Sequence, residues 1–239
     1  MSFFLLAQRL VLLLLVSLVG FLAGCSTNAG SASDLSNRWL REKMDRPIGV
    51  GFTPQNVFRS AETLPADIRR VALLPLSIPR PDAQFSEGRD VLAPILERQF
   101  NKRQAFEIIR ISSDQLRRWT GRAVWNAEEP LPPELLIRLR EQYGCQAVIF
   151  SQLTQFHPYG PVQIGWSLKL VDSRRAEIYW AVDEVFDAGV PAVANSARRF
   201  AQDDQNDGSP LPDSSFVLSS PRRFGEYSLH ALLATLPVR

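Results

Sequence analysis

The chain is poor in the residues that most often carry chemistry. Among 239 residues there are two cysteines and two histidines. No His-x-x-x-His or Cys-x-x-Cys pair occurs, so no zinc-ligand spacing is present, and no metal or other cofactor is expected. No Gly-x-Ser-x-Gly elbow, Walker loop or dinucleotide fingerprint occurs either. No catalytic residue is therefore assigned. Lysine is scarce, at Lys43, Lys102 and Lys169 only, and the basic count is carried by arginine. The formal net charge is +2, too small to imply a nucleic-acid partner. Five arginine pairs recur, as at Arg174-Arg175 and Arg222-Arg223. Phosphate or lipid head-group binding is one reading of them. Their scatter over several elements favours the other, solvated faces. Long apolar runs are missing too. The run Leu10–Leu22 is about 13 residues, against the roughly 20 that span a bilayer.

What is present at the N-terminus is more specific. Arg9, the apolar run and the small residues Ala23-Gly24 make the three parts of a secretory signal. A cysteine follows directly, and Leu22-Ala23-Gly24-Cys25 resembles the lipobox of bacterial lipoproteins. That resemblance implies removal of residues 1–24 and a diacylglycerol on the Cys25 thiol, so that palmitate-type chains anchor the mature protein. Plain secretory cleavage beside an incidental cysteine, or an uncleaved anchor helix, are the alternatives. Two or more acyl chains hold a protein stably, at about 0.8 kcal/mol per buried methylene. Ser26 follows the cysteine where enteric inner-membrane lipoproteins carry Asp, which implies the outer membrane, facing the periplasm. Cys145 is then unpaired, and the fold is expected to need no disulfide.

Residues 25–67 are expected to form a tether and an irregular segment, with a short helix from Leu35 to Lys43. The domain is expected over residues 68–239. Val71–Leu76 reads as a buried strand, Asp90–Phe100 as a helix that Pro94 should start or kink, Phe106–Ile111 as a second strand, and Ser112 or Ser113 as the cap of a short helix ended by Gly121. Pro132-Pro133 opens a helix that stops at Gly144. Ala147–Leu153 is a third strand. Val162–Leu170 alternates apolar and polar residues and returns as Ile178–Val182, an antiparallel hairpin with one wet face. Helices follow from Pro191 and from Pro221, the latter capped by Ser220, with Asp203–Ser215 as a loop between them. The fold class expected is α/β, a mixed sheet of about five core strands with flanking helices.

The Arg70–Leu76 strand, the Tyr143–Ile149 segment and the Ile164–Asp172/Ile178–Glu184 hairpin resemble the TolB N-terminal-like fold. That fold recurs in envelope lipoproteins such as LpoB, PelC and the curli secretion protein CsgG. The resemblance implies action by binding and assembly. The expected function is thus a non-enzymatic, lipid-anchored interaction protein of the cell envelope, with a protein partner or self-association and no nucleic acid. The alternatives are a CsgG-like secretion or pore lipoprotein, which needs further long amphipathic strands, and a hydrolase with an unrecognised site.

Four aromatics are candidate partner-binding residues: Phe156 and Tyr159 in an apolar turn, and Trp166 and Trp180 on the hairpin, expected opposite each other. Core filling is the competing reading for the tryptophans. Cys145 and His157 are too far apart along one strand to form a thiol dyad. Asp183 and Glu184 point to opposite faces and cannot act together directly; one is expected to be solvated and the other to meet an arginine.

Overall fold

Val71-Ala72-Leu73 is apolar at every position, and this run forms the central parallel strand of the sheet. The strands are β1 (Val57–Arg59), β2 (Arg70–Leu73), β3 (Glu107–Arg110), β4 (Ala147–His157), β5 (Gln163–Asp172) and β6 (Ile178–Asp187). The helices are α1 (Ala83–Arg103), α2 (Ser113–Thr120), α3 (Pro133–Tyr143), α4 (Pro191–Gln205) and α5 (Pro221–Leu233), with a 3-10 turn at Ser214–Leu218. The computed structural model describes residues 49–126, 128–129, 132–205 and 214–238. These belong to one unit, Pro47–Arg239. Cys25, the signal segment, the tether, the Leu35–Lys43 helix and most of the Asp203–Ser215 loop lie outside the described residues. No helix among the described residues is long and apolar enough to cross a membrane.

The sheet is open and mixed, in the order β1-β6-β5-β4-β2-β3. β2 runs parallel to β3 and β4; the remaining pairs are antiparallel. The α/β class is as expected, with six strands in place of about five. The added strand is β1, inside the segment expected to be irregular. Val57 pairs with Val182 and closes the edge of β6. Leu64 and Ile68 are also buried, so the domain takes in residues before 68.

The first face carries Ile149, Leu153, Ile164, Trp166, Leu168, Trp180 and Phe186 under α1, α4 and α5. The second face carries Ala72, Val148 and Phe150 under α2 and α3. Helix α1 begins before Asp90 because Asp82 caps it, its carboxylate accepting from Phe85 N at 2.8 Å. Pro94 sits inside this helix, so the Asp90 carbonyl has no i+4 donor. Capping is as expected at Ser112, whose hydroxyl accepts from Gln115 N at 3.2 Å, and at Ser220.

Two glycines allow close approach. A Cβ on Gly225 of α5 would lie 2.4 Å from Leu92 Cδ2 of α1. A Cβ on Gly165 of β5 would lie 2.5 Å from Thr154 Oγ1 and 3.0 Å from Gln155 N, where β4 bulges between Leu153 and Gln155. The expected wet face of β5 is drier than its polar residues suggest. Ser167 and Gly165 are buried, since small residues on an interior strand are overshadowed by β4 and β6.

Candidate functional site

Of the four aromatics singled out as partner-binding candidates, three are core residues. Trp166 and Trp180 are 0 % exposed, and Phe156 is buried against α1. This corrects the docking reading for them: a side chain sealed beneath helices offers no surface to a partner. Nor do the two tryptophans oppose each other. Trp166 lies across from Glu184, and Trp180 across from Leu170. Each indole N–H is satisfied from the helix layer, by Ser228 Oγ at 2.9 Å and Thr235 Oγ1 at 3.0 Å. Only Tyr159, at the β4–β5 turn, is exposed, at 84 %.

The chain order creates one crevice. β2 leads into α1 on the first face, whereas β3 leads into α2 on the second. Beyond the carboxyl ends of these strands lies a depression of about 630 Å³ between Leu74-Pro75-Leu76 and Ile111-Ser112-Ser113. Open α/β sheets bind ligands at such switch points. Here the charged lining is already paired: Arg110 with Glu97 at 3.5 Å and Arg89 with Asp90 at 3.1 Å within it, and Arg117 with Asp114 outside it at 3.5 Å. The Ser112 hydroxyl is committed to its cap.

The second face offers a different surface. α2 and α3 cover β2, β3 and the start of β4, and among the described residues no helix lies on the other half of that face. Register places Phe150, Lys169, Ala181 and Phe58 in one row across four strands. The next rows are Gln152-Ser167-Asp183 and then Gly165-Val185, followed by a polar ladder. In that ladder Gln155 Nε2 donates to Gln163 Oε1 at 2.5 Å, and Gln163 Nε2 to Asp187 Oδ2 at 2.8 Å. Phe58 is 53 % exposed and Val185 42 %. Where this open half meets α3 there is a groove of about 600 Å³. Its floor is Phe150 and Val171, its helical wall Leu136, Ile137 and Arg140, and its other wall the β5–β6 turn with Arg174, Arg175 and Ile178.

The titratable groups among the described residues do not gather into a reactive set. Cys145 is buried at the start of β4, and burial pushes its thiol up to about 11, with Arg70 opposing weakly. His157 lies at the far end of the same strand, as the thiol-dyad argument required. Tyr227, buried under α4, is pushed up to about 12 by its burial. Asp172 is drawn below the carboxylate range. Burial alone would raise it, and hydrogen bonds from Tyr179 and from the backbone of Arg175 and Arg174 outweigh that. Glu184 accepts from Gln55 N at 2.8 Å and Asp183 is solvated, so among the described residues neither meets the arginine expected for one of them. Among the described residues no group of three or more His, Cys, Asp and Glu gathers at metal-ligand distance.

No family model and no curated protein matches this chain. Among solved structures it is similar to the PelC dodecamer of Paraburkholderia phytofirmans, at 13 % identity and a TM-score of 0.39, covering 77 % of this chain and 98 % of that one. It is similar to lipoprotein GNA1162 of Neisseria meningitidis at 17 % and 0.35, covering 59 % and 99 %. The hypothetical protein CT253 of Chlamydia trachomatis stands at 14 % and 0.40, covering 70 % and 94 %. At such scores the fold class rests on the strand order and helix layers described above.

Phe58, Val185 and Lys169 were not singled out by the sequence. The signal for Lys169 was there: it is one of three lysines and sits in the best alternating strand. Phe58 had none, because a three-residue strand shows no period.

Proposed function

We propose that this protein is a lipid-anchored accessory of the bacterial cell envelope that acts by holding a protein partner against the open half of its sheet. The observation that carries this reading is the half of the second face that no described helix covers, with Phe58 and Val185 exposed among polar rows. Exposed apolar side chains set among polar groups on an open sheet face suit a protein partner. The switch-point crevice supports binding at the sheet rather than chemistry at its edge, because its arginines, carboxylates and Ser112 hydroxyl are already paired. The lipobox-like Leu22-Ala23-Gly24-Cys25 supports the anchor, and Ser26 supports the outer membrane with the domain in the periplasm. A CsgG-like barrel is disfavoured, since β5 is hydrogen-bonded to β4 on one side and β6 on the other.

Two measurements on the full chain in its host test this. A palmitate analogue should label the wild type and miss Cys25→Ala; equal labelling removes the anchor. A photo-crosslinking residue at position 58 or 185 should form one discrete adduct, and the same residue at exposed Arg103 of α1 none. Crosslinks at neither position, or equal crosslinks at all three, end the docking reading.

A further inference from the structure

We infer that the groove between α3 and the β5–β6 turn is a docking site for an acidic, partly apolar segment of a protein partner. This rests on the docking reading above and names the partner's chemistry. Four cations line the groove: Arg140, Lys169, Arg174 and Arg175. Among the described residues only Arg175 has a carboxylate within reach, Glu177 at 4.0 Å. Lys169, Arg140 and Arg174 have no ion pair there. The one carboxylate on the wall, Glu129, is held by Arg122 at 2.9 Å. Apart from Glu177 and Asp172 beside Arg175, the described residues leave this positive charge unneutralised, above an apolar floor.

The placement of Lys169 selects the occupant. It is half-buried on the sheet itself, between Phe150 and Ala181 in the row that ends at Phe58. A flat bilayer meets protruding groups and does not enter a channel between a helix and a sheet. Inorganic phosphate would answer the charge and leave Ile137 and Ile178, the exposed apolar side chains of the two walls, uncovered. A peptide answers both, with carboxylates toward the cations and an apolar side chain between Ile137 and Ile178. Three interstrand steps of about 4.8 Å give the row a length of about 14 Å, or four to five residues of extended chain.

The test uses the full-length protein purified in detergent. The probe is a fluorescent peptide of alternating glutamate and leucine, read by anisotropy. Controls are a glutamine–leucine peptide, inorganic phosphate, and vesicles of phosphatidylglycerol and phosphatidylcholine. The wild type should bind the glutamate peptide, more weakly as salt rises. The Lys169→Gln/Arg140→Gln pair should weaken binding about tenfold or more. The exposed turn pair Arg174→Glu/Arg175→Glu should do the same without touching the core. The charge-matched pair Arg103→Gln/Arg222→Gln, on the opposite helix layer, should stay within about twofold. Failure of the wild type to bind, equal loss in both Gln pairs, or equal binding of the glutamine peptide overturns the inference. So does competition by phosphatidylglycerol vesicles or phosphate, which would make lipid or a free anion the ligand. A discrete crosslink at positions 58 and 185 alongside no peptide binding would remove the groove assignment and leave the docking face standing.

Discussion

The indole N–H of Trp166 in β5 donates to Ser228 Oγ of α5 at 2.9 Å, and Ser228 Oγ donates onward to the Gly225 carbonyl at 3.0 Å. Both side chains are 0 % exposed. Sheet and helix layer are thereby joined by a polar link inside an apolar core. Trp166→Ala should cost about 3–5 kcal/mol, since it removes a large buried side chain and leaves a cavity. Trp166→Phe should cost less, about 1–2 kcal/mol, from lost volume and one lost hydrogen bond, because Ser228 keeps its other partner. Urea unfolding of the purified protein measures both. If Trp166→Ala left stability unchanged, the burial described here would be wrong.

The crossing of α1 and α5 depends on a missing side chain. A Cβ at Gly225 would lie 2.4 Å from Leu92 Cδ2, and Leu92 is fully buried. Gly225→Ala should destabilise by about 1–3 kcal/mol through overpacking. Leu92→Ala removes the clashing methyl at its own cavity cost. The double variant should then be more stable than the two single losses predict when added. A double-mutant cycle that proves additive would place the strain elsewhere.

The parts of this fold that were legible in the sequence carried local chemistry. Ser112, Ser220, Pro133 and Pro221 marked helix starts, and Gly121 and Gly144 marked stops, because caps and first-turn prolines act on their own neighbours. The β5–β6 hairpin was legible through its alternation. What escaped depends on distant packing. β1 exists because β6 has an edge to satisfy, and Val57-Phe58-Arg59 says nothing of that by itself. Helix α1 extends seven residues ahead of the first expected one because Asp82 caps it. Pro94 suggested a boundary that packing on the sheet overrides. The tryptophans show the same division: the alternation of Trp166 with Ile164 and Leu168, and of Trp180 with Ile178 and Val182, already argued for burial, and the interface statistics of aromatics pointed the other way. The groove could not be read, since it needs Arg140 of α3 and Lys169 of β5 brought together by the crossover.

Cys145 should behave as an inert core thiol. It is fully buried, and burial lifts its thiol to about 11. At pH 8 only about one molecule in a thousand would carry the thiolate even with access. In Cys25→Ala protein, Ellman's reagent should react slowly in buffer and stoichiometrically in urea. The unfolding midpoint should be unchanged by reductant. Fast labelling of the native protein would show that the start of β4 is open.

Asp172 gives the molecule a testable acid response. Its carboxylate accepts from the backbone N–H of Arg174 and, at 3.0 Å, of Arg175, and from the Tyr179 hydroxyl, closing the β5–β6 turn. Burial would raise its pKa; these donors outweigh burial and draw it below 3.8. The ionised form is therefore favoured in the folded state. Its contribution is fully present above the unfolded-state value and is lost as pH falls through the lower folded value. Asp172→Asn keeps an acceptor for the turn and loses the charge. It should cost about 1–2 kcal/mol at pH 7, the excess of charged over neutral hydrogen bonds. That deficit should persist at pH 5 and shrink below pH 4, as the wild-type carboxyl protonates. Tyr179→Phe removes one donor and raises the folded-state value toward the unfolded one, so the acid loss should be smaller than in the wild type and complete at a higher pH. Urea unfolding at pH 7, 5 and 3 measures each. A deficit for Asp172→Asn that stays constant to pH 3 would mean that the shape of the turn, and not the charge on Asp172, holds the hairpin closed.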